Sequence, residues 1–275
     1  MQNILITGAS QNGIGYYCAL RLKEQGHHVV GTVRQDDDAN ALALHGIASV
    51  FMEMSDYSSV EKGFHEALEL LNGRVDVLFQ NAGYGQAGFV EDLPVEAFEE
   101  QFKVNVFGLH HLNTLVIPVM RAQGHGRILI HSSVLGFVGM ACRGAYVASK
   151  FALEGMVQSM RVEMKGSGIE FSLMNTGPVE SRFRAHALTA LLKYVNVKRS
   201  VNQKRYDEVV LPRLNANESK GNYTPRYVYD AVNHAVHARK PRANYYITPP
   251  TKALYWLEKV LTKRLLDRLL QAVDR

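Results

Sequence analysis

The stretch "ITGASQNGIGYYCALRL", residues 6–22, takes over from a short apolar run, "NILIT" at 3–7, and passes into a helical pattern. Glycines at 8, 13 and 15 let the backbone turn sharply and approach a pyrophosphate, whose charge then sits at the amino end of the following helix. A glycine-rich turn without a ligand would carry the same letters. What favours a dinucleotide is the position, between the first strand and the first helix.

Six further β-branched runs follow: "HVVGTV" at 28–33, "ASVFM" at 48–52, "VDVLFQ" at 75–80, "RILIHS" at 127–132, "IEFSLMN" at 169–175 and "NYYIT" at 244–248. Helix-like segments separate them. Continuous apolar strands with helical crossovers imply a parallel sheet covered on both faces. The expectation is an α/β chain with a single Rossmann domain over 1–275, built on a doubly wound, seven-stranded parallel sheet. Two parts stand out inside it. Residues 182–224 are polar, basic and the least regular stretch, read as a substrate lid. Residues 251–275 carry leucines at 254, 257, 261 and 265 with interspersed basic residues, read as one amphipathic C-terminal helix.

A hydrophobic content of 47% with 21% charged residues excludes a disordered chain and suits a soluble enzyme. The two cysteines, Cys18 and Cys142, form no disulfide framework or metal-ligand spacing, which fits a reducing compartment. The first strand begins at Asn3, leaving no room for a signal peptide, and no apolar run approaches the ~20 residues of a membrane span. A cytoplasmic location is expected. The charge is uneven: residues 1–181 hold 12 Lys/Arg against 19 Asp/Glu, and residues 182–275 hold 19 against 7. A basic final third suits either an anionic partner (a phosphate-bearing ligand, an acidic lipid surface or nucleic acid) or a solvated face.

The second strand ends Thr32-Val33-Arg34, with no acid to hold a ribose hydroxyl. The arginine fork suits a 2′-phosphate, so NADP(H) is expected, with Arg34 as its reader. Asp36, Asp37 and Asp38 suit the first turn of the next helix. Further on, "GAYVASKFALEGM" at 144–156 puts Tyr146 and Lys150 on one helix face. The ammonium there would favour the ionised phenol and bring its pKa down from ~10 toward neutrality. The spacing recurs at Tyr194/Lys198 and Tyr255/Lys259, so it decides nothing alone.

Taken together, "TGASQNGIG" at 7–15, "NAG" at 81–83, Asn105 in "VNVFG", "SS" at 132–133, "YVASK" at 146–150 and "TGPVES" at 176–181 resemble the short-chain dehydrogenase/reductase family in order and spacing from residue 3 to 181. Ser133 stands thirteen residues before Tyr146, as in that family; the other two Tyr/Lys pairs have no such serine. The resemblance implies that Tyr146 exchanges the proton with the substrate oxygen, Ser133 holds that oxygen, Lys150 also grips the nicotinamide ribose, and Asn105 anchors a water. It implies cofactor contacts at Gly8, Ser10, Gln11, Asn12, Gly13, Ile14, Gly15, Met54, Asn81, Ala82, Gly83, Tyr146, Lys150, Gly177, Val179 and Ser181. The chain departs from the family at three points. Four residues, not three, separate Gly8 from Gly13, Gln80 stands where Asn is common, and Thr176 stands where Pro is common.

Within the family the chain looks most like the hydroxysteroid- and retinol-dehydrogenase-like branch, which includes bacterial reductases of fatty and aromatic aldehydes. Phe137, Met140, Phe183, Leu188 and Leu191 suggest an apolar pocket for a hydrophobic aldehyde, ketone, steroid or retinoid-like substrate. An epimerase or dehydratase with retained cofactor is the alternative chemistry, but those chains carry a larger C-terminal domain. A non-catalytic dinucleotide sensor would not need all four catalytic residues. The helices around 95–121 and 148–165 resemble those that form dimers and tetramers in the family. No metal is expected, since the histidine pairs lack a third ligand. No nucleic acid is expected, and the basic C-terminal helix is a candidate for peripheral membrane contact.

Overall fold

A computed structural model describes residues 1–216 and 223–273. The sheet is formed by β1 (Asn3–Ile6), β2 (His28–Val33), β3 (Ala48–Phe51), β4 (Val77–Gln80), β5 (Gly126–Ser133), β6 (Ile169–Thr176) and β7 (Asn244–Tyr246). All pairs are parallel, in the order 3-2-1-4-5-6-7. The seven expected strands are present with ends shifted by two residues or fewer.

Side-chain alternation explains why these runs are apolar throughout. Leu5, Leu78, Ile128, Ile130 and Leu173 point into one core, shared with α3 (Tyr57–Leu70), α5 (Leu109–Gln123) and α6 (Gly144–Glu163). Ile4, Ile6, Val77, Phe79, Leu129 and Met174 point into the other, shared with α1 (Ile14–Glu24), α2 (Asp36–Ala43) and α10 (Arg226–His237). One further helix, α4 (Val95–Phe102), runs through a π-helical turn at Lys103–Gly108 into α5. Local signals set the helix ends. Asp56 accepts from the Ser58 and Ser59 N–H groups to cap α3, and the three aspartates fill the first turn of α2.

From β1 the chain winds out to β3, then returns to start β4 on the other side. That reversal opens a crevice at the carboxyl ends of β1 and β4.

The stretch read as irregular is largely helical where described. It holds α7 (Phe183–Tyr194), short helices α8 (Gln203–Arg205) and α9 (Leu211–Asn215), and a π turn at Tyr206–Val210 between them. These elements surround their own small core of Ala187, Leu191, Val195 and Tyr206, shared with Ala87, Phe89 and Leu93 from the chain after β4. Residues 217–222 of the expected lid lie outside the described residues. The expected single C-terminal helix is two, α11 (Pro249–Val260) and α12 (Lys263–Val273), and its last two residues also lie outside. The break at Leu261–Thr262 shifts the apolar phase by one residue, burying Leu266 and Leu270 instead of Leu265.

Candidate active site

The crevice is floored by the glycine loop. Gly8 has φ +68, and a methyl there would come 2.9 Å from the Ala82 Cα; a methyl at Gly15 would come 2.5 Å from the Gly8 carbonyl oxygen. Only glycine fits either place. Gly13 opens α1 with no side-chain cap, so the first-turn N–H groups face the crevice with the helix's positive end. The Gln11 N–H donates to Asp38 Oδ1 at 2.8 Å, and the extra loop residue is absorbed at Asn12, with φ +61.

Asn81 ties this loop to the rest. Its Nδ2 donates to the carbonyls of Thr7 (3.1 Å) and Gly8 (2.9 Å), which turns Oδ1 toward His131 Nδ1 at 2.9 Å. His131 therefore carries its proton on Nδ1 and accepts at Nε2 from the Thr176 hydroxyl, 2.9 Å away. Burial first, then the Lys150 charge, push His131 down to about 3, so it is neutral. Thr176 has a hydroxyl for this bond where proline would have none. Gln80 bridges β4 to α5, donating to the Leu109 carbonyl and Asn113 Oδ1, both at 3.0 Å.

Ser133, at the end of β5, and Tyr146, in the first turn of α6, come together across the crevice. A hydrogen bond from Ser133 favours the phenolate, as does the Arg143 charge, but burial outweighs both and pushes Tyr146 up to about 12. The expected lowering by Lys150 is not found. The Lys150 Nζ donates to the His131 carbonyl at 2.7 Å and lies 5.6 Å from the Tyr146 ring centroid. Lys150 is itself buried and brought down to about 8, opposed by Glu154.

Asn105 sits in the π turn. Its Nδ2 donates to the Tyr84 carbonyl (2.9 Å) and Ser149 Oγ (3.3 Å), while Oδ1 accepts from the Tyr84 N–H (3.1 Å). It holds the loop after "NAG", and a methyl at Gly83 would come 3.0 Å from its Oδ1. The Gly177–Ser181 turn packs on the start of α11, where Gly177 leaves room for the Thr248 and Thr251 hydroxyls. Phe183, the first residue of α7, meets Tyr146 edge-on at 5.3 Å between centroids and covers Gly85. Phe137 and Met140 pack beside Tyr146 with Leu254, Leu261, Leu266 and Leu270, whereas Leu191 of α7 is buried in the small core with Ala87 and Tyr206.

The peripheral expectations fare differently. Arg34 stands at the end of β2, its side chain 57% exposed and paired with Glu53 at 3.2 Å. An exposed pair is worth under about 1 kcal/mol, so the fork is free to turn. The Met54 side chain is buried in the core, so any contact there would run through its main chain.

Two residues of the site were absent from the sequence reading. His131 left no local signal. Glu154 did, as the third member of a Tyr146/Lys150/Glu154 stripe at four-residue spacing. It accepts from Ser132 Oγ (2.6 Å), Asn175 Nδ2 (2.5 Å) and Asn244 Nδ2 (3.4 Å), and burial raises its pKa.

The sequence matches the short chain dehydrogenase family model over residues 2–191. It is 35% identical over 271 residues to the uncharacterized oxidoreductase YbbO of Escherichia coli K12, covering 98% of this chain and 94% of that one. To human 17-beta-hydroxysteroid dehydrogenase type 1 it is 36% identical over 197 residues, covering 67% and 59%. Among solved structures, a short chain dehydrogenase/reductase from Burkholderia phymatum in complex with NAD superposes with TM-score 0.79 at 22% identity, covering 93% and 92%. A short chain dehydrogenase from Burkholderia cenocepacia in complex with NADP gives 0.75 at 20%, covering 98% and 99%. The chain belongs to the short-chain dehydrogenase/reductase family of oxidoreductases. No described helix is long and apolar enough to cross a membrane.

Proposed function

We propose that the protein is an NADP(H)-dependent carbonyl reductase or alcohol dehydrogenase for a hydrophobic substrate. The observation that carries this is the meeting of Ser133, Tyr146 and Lys150 opposite the uncapped start of α1, beneath the Phe183 ring.

The crevice fits a dinucleotide: glycines 8 and 15 leave a cradle that a methyl would fill, and α1 presents open N–H groups. Gly8, Gly13, Ile14 and Gly15 would hold the pyrophosphate. Ser10 and Asn12 are better donors than Gln11, whose N–H is engaged by Asp38. Asn81, Ala82 and Gly83, with the main chain at Met54, would flank the adenosine side, and Gly177, Val179 and Ser181 the nicotinamide side. Arg34 would read the 2′-phosphate. Its charge and that of Arg182 both bear on His186 of α7, which brings a second cation to that end. Arg34→Ala should raise KM for NADPH more than for NADH; an equal effect would remove the phosphate role.

When bound, the dinucleotide supplies or takes the hydride. The chain's own residues handle the proton. Ser133 orients the substrate oxygen, and Tyr146, kept protonated by burial, delivers its hydrogen to that oxygen as negative charge develops there. Lys150 faces the resulting phenolate with a positive charge, and Asn105 would anchor the water that restores the proton. Burial, which pushes it up to about 12, lets Tyr146 hold its proton at neutral pH until an alkoxide-like oxygen draws it off.

Phe137, Met140 and Phe183 beside Tyr146 support an apolar aldehyde, ketone, steroid or retinoid-like substrate. Exposed Phe107 and Phe151, on the helices expected to form a dimer, support self-association. Exposed Trp256, Val260, Leu265 and Leu269 among Lys252, Arg264 and Arg268 support contact with an anionic membrane surface. Sedimentation with and without phosphatidylglycerol vesicles reads both: a single monomeric species that ignores the vesicles would overturn them. The activity itself is tested by NADPH absorbance with aliphatic aldehydes, retinoids and ketosteroids; no oxidation with any of them would refute it.

A further inference from the structure

We infer that α12 covers the catalytic crevice and that an anionic phospholipid surface lifts it away, admitting a carbonyl compound dissolved in the bilayer to Tyr146; this rests on the oxidoreductase reading above. Leu266 and Leu270 of α12 form a small core with Leu135 and Val138, and Phe137, Met140 and Tyr146 pack against it. The same core is tied to the other catalytic hydroxyl, because the Leu135 N–H donates to Ser133 Oγ at 3.1 Å. Two leucines of α12 therefore close the apolar side of the site.

The two C-terminal helices are held very differently. α11 is pinned at its start by the buried Thr248 and Thr251 hydroxyls, 2.9 Å apart. In its middle the Tyr255 ring stacks on Tyr246 of β7 at 4.0 Å between centroids and meets Phe137 edge-on at 6.0 Å. On α12, from Lys263 to Ala272, only Leu266 and Leu270 are buried. Lys263, whose side chain is exposed, pairs with Glu258 of α11 at 2.9 Å, an ion pair of the kind that holds weakly. Between the helices Leu261 is extended, with φ −81 and ψ 145, so α12 can swing about that residue while α11 stays docked.

The outer surface points to what removes the cover. Leu265 and Leu269 are exposed one turn apart on α12, and Trp256 and Val260 one turn apart on α11. Leucines 265, 266, 269 and 270 span an arc of about 140° around α12, half of it turned to the protein and half to the outside. Lys252, Lys259, Lys263, Arg264 and Arg268 are exposed on the same two helices, against the acids Glu258 and Asp267. An apolar strip among cations is suited to the headgroup boundary of an anionic bilayer. In water, lifting α12 exposes Leu266 and Leu270. At a bilayer the acyl chains receive all four leucines, which offsets the loss of the protein contact, and the side of Tyr146 that is uncovered faces the lipid.

The test uses the full chain with phosphatidylglycerol or phosphatidylcholine vesicles. Trp256 is the chain's one tryptophan and is 66% exposed, so its emission reports contact with lipid. The thiol of Val138→Cys, at a buried position in the core that α12 completes, reports opening through its rate of reaction with N-ethylmaleimide, with the wild-type rate subtracted for Cys142. Turnover of hexadecanal with NADPH reports entry. Phosphatidylglycerol should shift the Trp256 emission to the blue, speed the labelling about tenfold and give a kcat/KM for hexadecanal about tenfold above that in phosphatidylcholine. Leu265→Ser combined with Leu269→Ser, both on the exposed face, should lose all three responses. Emission and turnover are read on the wild type, so the test stands even if Val138→Cys does not fold. Faster labelling with no aldehyde reduced supports the cover and refutes the oxidoreductase reading alone. No emission shift, a shift without faster labelling, or equal hexadecanal kcat/KM in the two lipids overturns the inference.

Discussion

Tyr146, Lys150 and Glu154 stand four residues apart on one face of α6, and the charges of the last two are linked through a desolvated interior. Glu154 is the nearest influence that keeps Lys150 charged, against the burial that brings it to about 8. Glu154→Gln retains a group able to accept from Ser132 but loses that support. The Lys150 pKa should then fall further, so activity should decline with rising pH from a lower pH than in the wild type. The kcat/KM profile between pH 6 and 10 checks this, and an unmoved basic limb would show that Glu154 does not act through Lys150. That Tyr146 and Ser133 meet was legible because their spacing along the chain encodes it. His131 was not, because its partners Asn81 and Thr176 come to it from other strands, and nothing near it in sequence announces them.

At the scale of elements, the glycine loop, the "NAG" loop and the π turn interlock, so a change in one is felt in the next. Gly8→Ala must place a side chain at φ +68 and push a methyl to 2.9 Å from the Ala82 backbone. It should cost about 2 kcal/mol or more and weaken NADPH binding, read by thermal unfolding and fluorescence titration. An unchanged melting temperature would mean that the loop is looser than described. The strands were readable because both sheet faces are buried, which makes most of them largely apolar runs. The C-terminal break was not. No proline or glycine marks Leu261–Thr262, and the leucines continue across it in a register that one straight helix would also satisfy. The stretch from residue 182 to 216 misled for a related reason. Its polar, basic letters hide helices whose apolar residues face a small satellite core and not the sheet.

For the whole molecule, the buried neutral histidines predict an acid-sensitive fold. His131 is held at about 3, and His27 is lowered by burial and by the neighbouring His237. In the unfolded chain both take up protons as pH falls through about 6.5, while in the folded chain His131 stays neutral down to about 3 and His27 takes its proton at a lower pH than when unfolded. Their contribution is full above that pH and is lost as pH falls toward the folded values, at about 1.4 kcal/mol per pH unit for His131. Urea midpoints should drop between pH 7.5 and 5, less steeply in His131→Gln. A flat response would mean that water reaches these rings.

The central claim is that the Tyr146 hydroxyl, held by Ser133 and faced by Lys150, is the group that trades a proton with the substrate oxygen. Tyr146→Phe removes one oxygen atom from a ring that packs against Phe183 and keeps the rest of the crevice. Measured side by side, NADPH affinity should stay within about threefold of wild type while turnover of a responsive carbonyl substrate falls at least about a thousandfold. Wild-type turnover in that variant would contradict the account.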